Sequence, residues 1–345
     1  MGVMLPVNDT LLAPDRLEEL LQRFSRQRVV VIGDMVADEY VFGTPRRISR
    51  EAPVLVLGFD RRMMVPGGAT NVAANLRAVG ATVTVVGVIG ADSMGQELKA
   101  ALEALGIGTQ GLVVDAHRPT STSTRIIGGG VQVVQQQIVR VDRIVSDSLE
   151  GSCREELLAA ASDALADASG LILSDYEHGV IDPEVSTQCL EAARRRRIVS
   201  TVDAHGDLFR FQKMSLATPN QPEAEATLGR SLNDDDELRD ACDELLAGMQ
   251  SEGVLITRGS QGMVALDREG RYTNLPVLNH AEVRDATGAG DTVAAIATLA
   301  LCAGASLAEA ALMGNVAASL VVRHFGKATV APVELSNAFR SLGQS

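Results

Sequence analysis

The sequence predicts an α/β fold in which a doubly wound, mainly parallel sheet is flanked by helices and carries a small antiparallel lid. Short runs rich in valine, isoleucine and leucine recur along the chain with helical patterns between them, an alternation typical of parallel sheets. Two other segments alternate like strands with no helix between their halves. No repeat or low-complexity linker divides the chain, so we expect one domain over residues 1–345.

The strands of the main sheet are predicted from apolar runs. A helix is expected over residues 10–27, where leucines recur at helical spacing, and it leads into the run VVVIG at residues 29–33. A continuous apolar run of this length is typical of a parallel strand that is buried on both faces. Further strands of this sheet are predicted at residues 82–88, 171–175, 198–203 and 254–259.

Residues 39–62 and 118–143 are predicted to form the lid. Both segments alternate between apolar and polar residues, and prolines interrupt the first of them. The second has three consecutive glycines at 128–130 between two strand-like arms, which is typical of a hairpin. We expect both segments to be inserted in the single domain and to pair beside the main sheet.

The charge balance disfavours some classes of partner. Lysine and arginine number 31 against 44 acidic residues, a formal net charge of −13, which opposes binding to nucleic acid or to an anionic membrane. An anionic ligand must therefore be held by a local group of donors. The four arginines at 194–197 could bind phosphate, but their place at the end of a predicted helix favours a solvated terminus that complements the helix dipole.

Two further patterns concern location and metal content. The longest apolar runs fall short of a bilayer span and the N-terminus lacks a secretory signal pattern, so we expect a soluble, cytoplasmic protein without a membrane partner. The four cysteines lack CxxC spacing, which favours buried thiols over a metal site or a disulfide framework.

Polar residues follow the predicted strands, at the edge where open α/β sheets bind ligands. The candidates in these loops are Asp34, Asp38, Asp175, Asp203, Asn220 and Glu223. Each of them could instead cap a helix, and a single carboxylate does not decide between the two roles.

The stretch RDATGAGDTVAA at residues 284–295 places small residues at the start of an alanine-rich helix. Gly288, Ala289 and Gly290 leave backbone N–H groups open, and a helix N-terminus binds anions through such groups and its dipole. Asp291 would repel that anion, but it suits a general base that takes the proton of an attacking hydroxyl. The stretch predicts phosphoryl transfer, with a helix cap at Asp291 as the alternative.

A second glycine-rich stretch, PGGATNVAANL, begins at residue 66. Gly67 and Gly68 precede a predicted helix with Asn71 in its first turn, an arrangement that lets amides meet the hydroxyls of a polyol. The sequence has no GxxxxGK[ST] loop and no GxGxxG after its first strand. A nicotinamide-dependent oxidoreductase is therefore disfavoured.

The order and spacing of these residues resemble the pfkB, or ribokinase-like, family of ATP-dependent carbohydrate kinases from about residue 28 to residue 333. The matching positions are Gly67, Gly68, Asn71, Gly80, Gly90, Asp285, Gly288, Ala289, Gly290 and Asp291. The resemblance implies a ribokinase-like fold, with Asp291 as the catalytic base and the amides of residues 288–291 as the anion hole.

The resemblance also implies the rest of the site, with ATP as co-substrate and Mg²⁺. Asn220 and Glu223 match positions that place magnesium indirectly, and Asp285 and Thr287, with Gly326, match positions near which many members bind K⁺. The residues expected at the nucleotide are Asn220, Thr257, Arg258, Gly259, Gly262 and Asn315. The residues expected at the sugar are Asp34, Asp38, Arg50, Gly67, Gly68, Asn71, Arg140 and Asp175. Because the lid of relatives often pairs two subunits, we expect a homodimer through the lid.

Within the family, segments such as GDMVADEYVFG and LSDYEHG most resemble the kinase half of a bifunctional enzyme that acts on heptose 7-phosphate. Arg50 stands where these relatives have proline, and His205 stands where they have lysine, which removes a fixed positive charge. Arg50, Arg140 or Arg258 could compensate for that loss. The second, nucleotidyltransferase half has no counterpart in the sequence, so we expect a stand-alone kinase.

Three functions remain open from the sequence. The first is an Mg²⁺- and ATP-dependent kinase of a sugar or sugar phosphate, with a heptose 7-phosphate as one candidate. The second is a kinase of another small acceptor, such as a nucleoside, pentose, hexose phosphate or vitamin precursor, although the lid and Asn71 count against vitamin kinases. The third is a nucleotide-binding regulatory module, which would not need the base Asp291.

Overall fold

The computed structural model describes residues 12–130, 133–278, 283, 285–324 and 326–342. Its strands are β1 (Arg28–Gly33), β2 (Met35–Ile48), β3 (Leu55–Gly68), β4 (Thr82–Gly90), β5 (Gly108–Asp115), β6 (Ser121–Gly130), β7 (Val133–Arg143), β8 (Gly170–Asp175), β9 (Val199–Ala204), β10 (Leu216–Ala217), β11 (Gly253–Thr257), β12 (Met263–Asp267) and β13 (Tyr272–Leu275). Residues 10 and 11 of the predicted first helix, 131 and 132 of the lid segment and 284 of the glycine-rich stretch lie outside the described residues.

Among the described residues, six of the ten helices lie between these strands, as the alternation predicts, while the first precedes β1 and the last three follow β13. The helices are α1 (Pro14–Phe24), α2 (Ala69–Ala78), α3 (Ser93–Ala104), α4 (Gly151–Ala164), α5 (Pro183–Arg196), α6 (Gln221–Leu228), α7 (Asp235–Met249), α8 (Ala289–Cys302), α9 (Leu307–Val321) and α10 (Pro332–Leu342). Within the described part of the chain, no helix combines the length and the apolar character needed to cross a membrane.

The main sheet has nine strands in the order β13-β12-β11-β10-β9-β8-β1-β4-β5. Every neighbouring pair from β5 to β11 is parallel, and only β12 and β13 at one edge are antiparallel. The predicted α/β fold with a mainly parallel sheet is therefore confirmed.

Apolar side chains cover both faces of this sheet. In β1, Val29 and Val31 face a core shared with α1, α2, α3, α8, α9 and α10, whereas Val30 and Ile32 face a core shared with α4 to α7. This two-sided burial explains why β1 reads as a continuous apolar run. Residues 291–300 of α8 are all buried, as expected of a helix that is apolar on every side.

The lid is a second sheet with the strand order β3-β2-β6-β7. The predicted antiparallel pairing holds within β2/β3 and within β6/β7, but β2 and β6 pair in parallel. Because β2 follows β1 and β6 follows β5, both lid strands leave the same edge of the main sheet and run outward side by side. The first hairpin is also longer than predicted, with paired residues from Met35 to Gly68.

Large apolar side chains are exposed along the lid. They are Ile48, Val54, Leu55, Phe59, Met63, Ile138, Val139 and Val141. Eight exposed large apolar side chains on these two hairpins are a feature that distinguishes the lid from the buried main sheet.

Candidate active site

A cavity of about 260 Å³ lies where the lid meets the carboxyl ends of β8 to β11 and the start of α8. Sequence-predicted residues that line it are Asp38, Gly68, Arg140, Asp175, Asp203, Asn220, Glu223, Thr257, Thr287, Gly288, Gly290 and Asp291, and His205 lines it as well. Residues that line it but belong to no sequence-predicted set are Val36, Ser123, Arg125, Tyr176, His178, Ala204, Thr218 and Lys327.

Asp291 lies in the first turn of α8 and is 4% exposed. Its Oδ2 accepts a hydrogen bond from Nδ2 of Asn71 at 2.6 Å, and its Oδ1 accepts one from the Tyr176 hydroxyl at 2.6 Å. Burial first, and then the Asp291 charge, raise the pKa of the Tyr176 hydroxyl well above its ordinary value, so Tyr176 remains a donor. The two donors orient the carboxylate, and each oxygen keeps a second lone pair for another partner.

The start of α8 depends on Gly288, which is the N-cap in the left-handed conformation with φ 83°. A β-carbon there would lie 2.8 Å from Nδ2 of Asn71, so only glycine preserves both the turn and the contact that orients Asp291. The Ala289 N–H donates to the Ala286 carbonyl at 3.2 Å, while the following N–H groups of the first turn have no acceptor within the helix. These groups and the dipole favour an anion in the cavity.

Two cations that the sequence analysis missed neutralise the carboxylates. Nζ of Lys327 lies 3.0 Å from Oδ2 of Asp38 and 3.6 Å from Oδ2 of Asp291, and the lysine side chain is only 7% exposed. Arg125 donates to Oδ1 of Asp38. Buried charges are tolerated when they are paired in this way. Lys327 lies outside both glycine-rich stretches, so no local pattern pointed to it.

Gly67 and Gly68 let the end of β3 approach the start of β2. A β-carbon on Gly67 would lie 2.4 Å from Oδ2 of Asp38, and one on Gly68, which has φ 51°, would lie 2.6 Å from the Asp34 carbonyl oxygen. The two glycines therefore make room for the carboxylate network beside the cavity.

Asn220 and Glu223 form a capping box at the start of α6. Oδ1 of Asn220 accepts the Glu223 N–H at 2.9 Å, and Oε2 of Glu223 accepts the Asn220 N–H at 2.8 Å. The other Glu223 oxygen lies 2.5 Å from Nδ1 of His205. This hydrogen bond raises the pKa of His205 above its ordinary value, which favours the charged form of the imidazole at the position where the relatives have lysine.

Asp203 lies at the end of β9 and lines the same cavity. Burial, and then the charges of Asp291 and Glu223, raise the pKa of its carboxyl to about 7. Thr218 donates a hydrogen bond to its Oδ1 at 3.1 Å. Five carboxylates line this one cavity, and their crowding together with burial favours the protonated form of Asp203.

Asp34 is 1% exposed and holds the loop that follows β8. Its carboxylate accepts the N–H groups of Tyr176, His178 and Val180 at 2.7, 3.2 and 3.3 Å. It is thus placed behind the cavity lining, where it positions Tyr176 against Asp291. Asp175, by contrast, lines the cavity and pairs with Arg210.

The family is decided by comparison with known proteins. The pfkB family carbohydrate kinase profile matches residues 26–334. The chain belongs to the pfkB family. As a pfkB carbohydrate kinase it is a phosphotransferase that uses an alcohol group as acceptor, and the family resemblance predicted from the sequence is confirmed.

Known pfkB-like proteins resemble the chain over nearly its full length. It is 42% identical over 320 residues to Bifunctional protein HldE of Halorhodospira halophila, which covers 92% of this chain and 64% of that protein. The chain therefore spans less than two thirds of the length of the curated relatives it matches. This relative also bears out the predicted likeness to a bifunctional enzyme.

Two solved structures show the same fold. Phosphofructokinase-2 from Escherichia coli in complex with potassium has a TM-score of 0.74 at 21% identity, covering 92% of this chain and 98% of that one. Arabidopsis thaliana ribokinase complexed with ribose and ATP has a TM-score of 0.68 at 20% identity, covering 92% and 99%. The ribokinase-like fold expected from the sequence is thereby confirmed.

The residues that the pfkB resemblance assigns to a monovalent cation lie together. Oδ1 of Asp285 accepts the Thr287 N–H at 2.9 Å, and its Oδ2 accepts the Gly326 N–H at 3.0 Å. Burial alone would raise the pKa of Asp285, but these hydrogen bonds lower it below the ordinary value. An ionised carboxylate therefore stands beside the start of α8.

The pfkB nucleotide residues lie only partly at the cavity. Asn220 and Thr257 line it, while Gly259 and Gly262, with φ 54° and 85°, shape the turn after β11. Arg258 donates to a neighbouring glutamine side chain at 2.8 Å. Asn315 is buried on α9 and donates to the Pro276 carbonyl at 2.8 Å.

The two lid arginines differ in position. Arg140 lines the cavity and donates to the Ser123 hydroxyl at 2.9 Å and to Asp142 at 2.8 Å. Arg50 is exposed in the loop between β2 and β3, at the far end of the hairpin from the cavity. Within one chain the structure therefore does not bring Arg50 to the other candidate residues.

Proposed function

We propose that the chain transfers the γ-phosphoryl group of ATP to a hydroxyl of a sugar or sugar phosphate, with a heptose 7-phosphate as the first candidate. The observation that carries this proposal is the buried Asp291 carboxylate in the first turn of α8, where a general base and N–H donors for an anion share one helix terminus. As an ATP-dependent enzyme it would act in the cytoplasm.

In this mechanism Asp291 takes the proton of the acceptor hydroxyl. Tyr176 and Asn71 hold its two oxygens in place, and Lys327 compensates its charge while the acceptor is bound. The N–H groups at residues 288–291 and the α8 dipole stabilise the charge of the migrating phosphoryl group. Closure of the lid over the cavity excludes water, which would otherwise compete as acceptor.

The residues present fit an indirect role in magnesium binding. Among the described residues, no three acidic, histidine or cysteine side chains are arranged to hold a metal ion. Both Glu223 oxygens already have partners in His205 and the Asn220 N–H. Magnesium usually keeps several waters and binds substrate phosphates, so Glu223 would orient such waters, and Asp285 with Thr287 would hold K⁺.

Cationic side chains in the cavity wall support an acceptor that carries a phosphate. The cations Arg125, Arg140 and Lys327 line it, and guanidinium groups bind phosphate through paired N–H donors. Asp38 already engages Arg125 and Lys327, so Arg140, whose side chain is 46% exposed, is the best placed to receive it.

The kinase proposal is tested by measuring ADP formation with heptose, hexose and pentose phosphates, free sugars and nucleosides. We expect a sugar phosphate to give the highest kcat/KM. Asp291→Asn should lower kcat by about 10²- to 10⁴-fold with little change in the KM for ATP, whereas the exposed Asp240→Asn should match wild type.

Each other result assigns a different function. Near-normal turnover in Asp291→Asn would overturn the role of the base. Nucleosides as the best acceptors would favour the nucleoside kinase hypothesis, and tight ATP binding without any productive acceptor would favour a regulatory module.

We further propose that the exposed apolar residues of the lid pair two copies of the chain. Phe59, which is 71% exposed, lies in this surface, and burying such side chains is favourable. Light scattering after gel filtration should show a dimer that Phe59→Asp dissociates. Leu105→Asp, an equal change at an exposed site outside the lid, should leave the dimer intact, and a monomeric wild type would refute the proposal.

A further inference from the structure

A second cavity lies at the opposite edge of the main sheet. It has a volume of about 800 Å³ and is lined by the first residues of β9 and by segments that precede β10 and β11. We name it the basic cleft and define it by Arg194, Arg197, Lys213, Gln250, Ser251 and Arg268, which all line it. The candidate active site occupies the carboxyl edge, so the two cavities are separated by the height of the sheet.

The basic cleft carries uncompensated positive charge. Arg268 pairs with Glu252 at 3.1 Å, but no described carboxylate lies within ion-pair distance of Arg194, Arg197 or Lys213. In a chain of formal net charge −13, three unpaired cations around one cavity create a local site for an anion. The carboxylate that also lines the cavity is that of Glu252.

A buried hydroxyl in the cleft lacks a partner. Ser251 is 5% exposed, lines the cavity, and its side-chain oxygen makes no hydrogen bond with the described residues. Buried polar groups in proteins are almost always satisfied by protein, water or ligand. The Ser251 hydroxyl is therefore a buried donor without a protein acceptor in the wall of the cleft.

Around the cleft, residues with long side chains occupy backbone positions at which glycine is favoured. Of the four described non-glycine residues with positive φ, three line the cleft: Arg197 at 57°, Lys213 at 65° and Gln250 at 51°. Arg197 and Gln250 are the C-caps of α5 and α7, whereas the left-handed C-cap of α6 is Gly229. Glycine is the usual residue at such caps, so the cleft keeps its polar side chains at a conformational cost.

A continuous segment connects the cleft with the candidate active site. Residues 205–215 run from the end of β9, beside Asp203, back to the start of β10, where Lys213 lines the cleft. Arg210 lies midway, pairs with Asp175 of the active-site cavity and donates to the Ile181 carbonyl at 3.0 Å. It also lines a smaller cavity of about 200 Å³ together with Arg194 and Lys213.

We propose that the basic cleft binds a phosphorylated small molecule and that Arg210 couples this binding to the active site. The volume is within the range of small-molecule sites, and phosphate suits the guanidinium and ammonium donors around the Ser251 hydroxyl. An anion near Arg194 and Lys213 competes with Asp175 for Arg210. The coupling, unlike the binding itself, rests on the proposed kinase function.

Hydrogen-exchange mass spectrometry with millimolar pyrophosphate as probe locates the binding without reference to activity. We expect protection in peptides that cover residues 194–200 and 247–252, distinct from any protection at residues 286–292. In the double variant Arg197→Gly/Lys213→Gly, the pyrophosphate concentration that gives half-maximal protection at the cleft should rise by about tenfold or more. Because glycine suits positive φ, its thermal midpoint should equal or exceed that of wild type.

Arg196→Gln is the matched control, since it removes a charge from the same helix end but lies outside the cleft lining. Equal weakening in Arg196→Gln, or no protection of the cleft in wild type, would overturn the site and leave the arginines as neutralisers of the α5 terminus. If pyrophosphate protects the cleft but does not alter the KM for the acceptor, the coupling through Arg210 is wrong while the site stands.

Discussion

The raised pKa of Asp203 predicts how the stability of the ligand-free protein changes with pH. The perturbation is Asp203→Asn, which resembles the protonated carboxyl and keeps an oxygen for the Thr218 hydroxyl. The folded carboxyl has a pKa of about 7, against about 3.9 in an unfolded chain. Because the folded value is the higher one, the stability that the group contributes is complete below pH of about 4 and is lost as the pH rises to about 7.

The magnitude follows from this difference. Each pH unit between the two pKa values costs the wild type about 1.4 kcal/mol of unfolding free energy, which the uncharged asparagine does not lose. Between pH 5 and pH 8 the variant should therefore gain about 2.5 kcal/mol relative to wild type. The Asp203 charge is one of the causes that raise the pKa of His205, so the comparison reports the coupled pair.

The assay is urea unfolding at several pH values from 5 to 8, without nucleotide and with a chelator. The exposed Asp240→Asn serves as control and should keep a constant difference from wild type. If the difference in unfolding free energy between Asp203→Asn and wild type changes by less than about 0.5 kcal/mol over this pH range, the carboxyl is not desolvated and the reasoning is refuted.

Two further predictions concern the charge network and the start of α8. Lys327→Met leaves Asp291 without its cation, although Asp38 keeps Arg125. Urea unfolding should show that the free energy of unfolding falls by about 3 kcal/mol, the lower end of the 3–5 kcal/mol range for a broken buried pair. A fall below about 1 kcal/mol would argue against a buried pair. Gly288→Ala should cost about 1–2 kcal/mol through its positive φ and should lower kcat by displacing Asn71. Gly290→Ala, whose β-carbon meets open space, should preserve stability but weaken substrate binding. A Gly290→Ala protein less stable than Gly288→Ala would contradict the geometry.

Local patterns identified the two helix starts of the site but not their contacts. Small residues before an apolar helix indicated open N–H groups at α8, and paired glycines before Asn71 indicated the start of α2. The hydrogen bond from Asn71 to Asp291 joins residues 220 positions apart, and no local rule specifies such a distance. Tyr176 and Lys327 were missed for the same reason, because tertiary packing alone brings their loops to Asp291.

In the lid, the sequence pattern predicts the strands but not how they pair. Alternation indicated the strands of both lid segments, yet it carries no information on whether β2 and β6 run in parallel. That register, with Tyr40 opposite Arg125, decides which arginine meets Asp38. Asn220 and Glu223 show a different limit, since the same two residues satisfy a capping box and the family's metal-associated pattern, and sequence spacing does not separate these roles.

Only the single residue Asp34 separates β1 of the main sheet from β2 of the lid. Strand β2 extends for 14 residues from this connection, a length of roughly 45 Å, so a tilt of about 5° there moves the tip of the hairpin by about 4 Å. The Asp34 carboxylate also accepts a hydrogen bond from the Tyr176 N–H in the loop after β8. Any force applied at the distant tip, such as contact with a second copy, therefore acts on the residue that orients the Asp291 carboxylate.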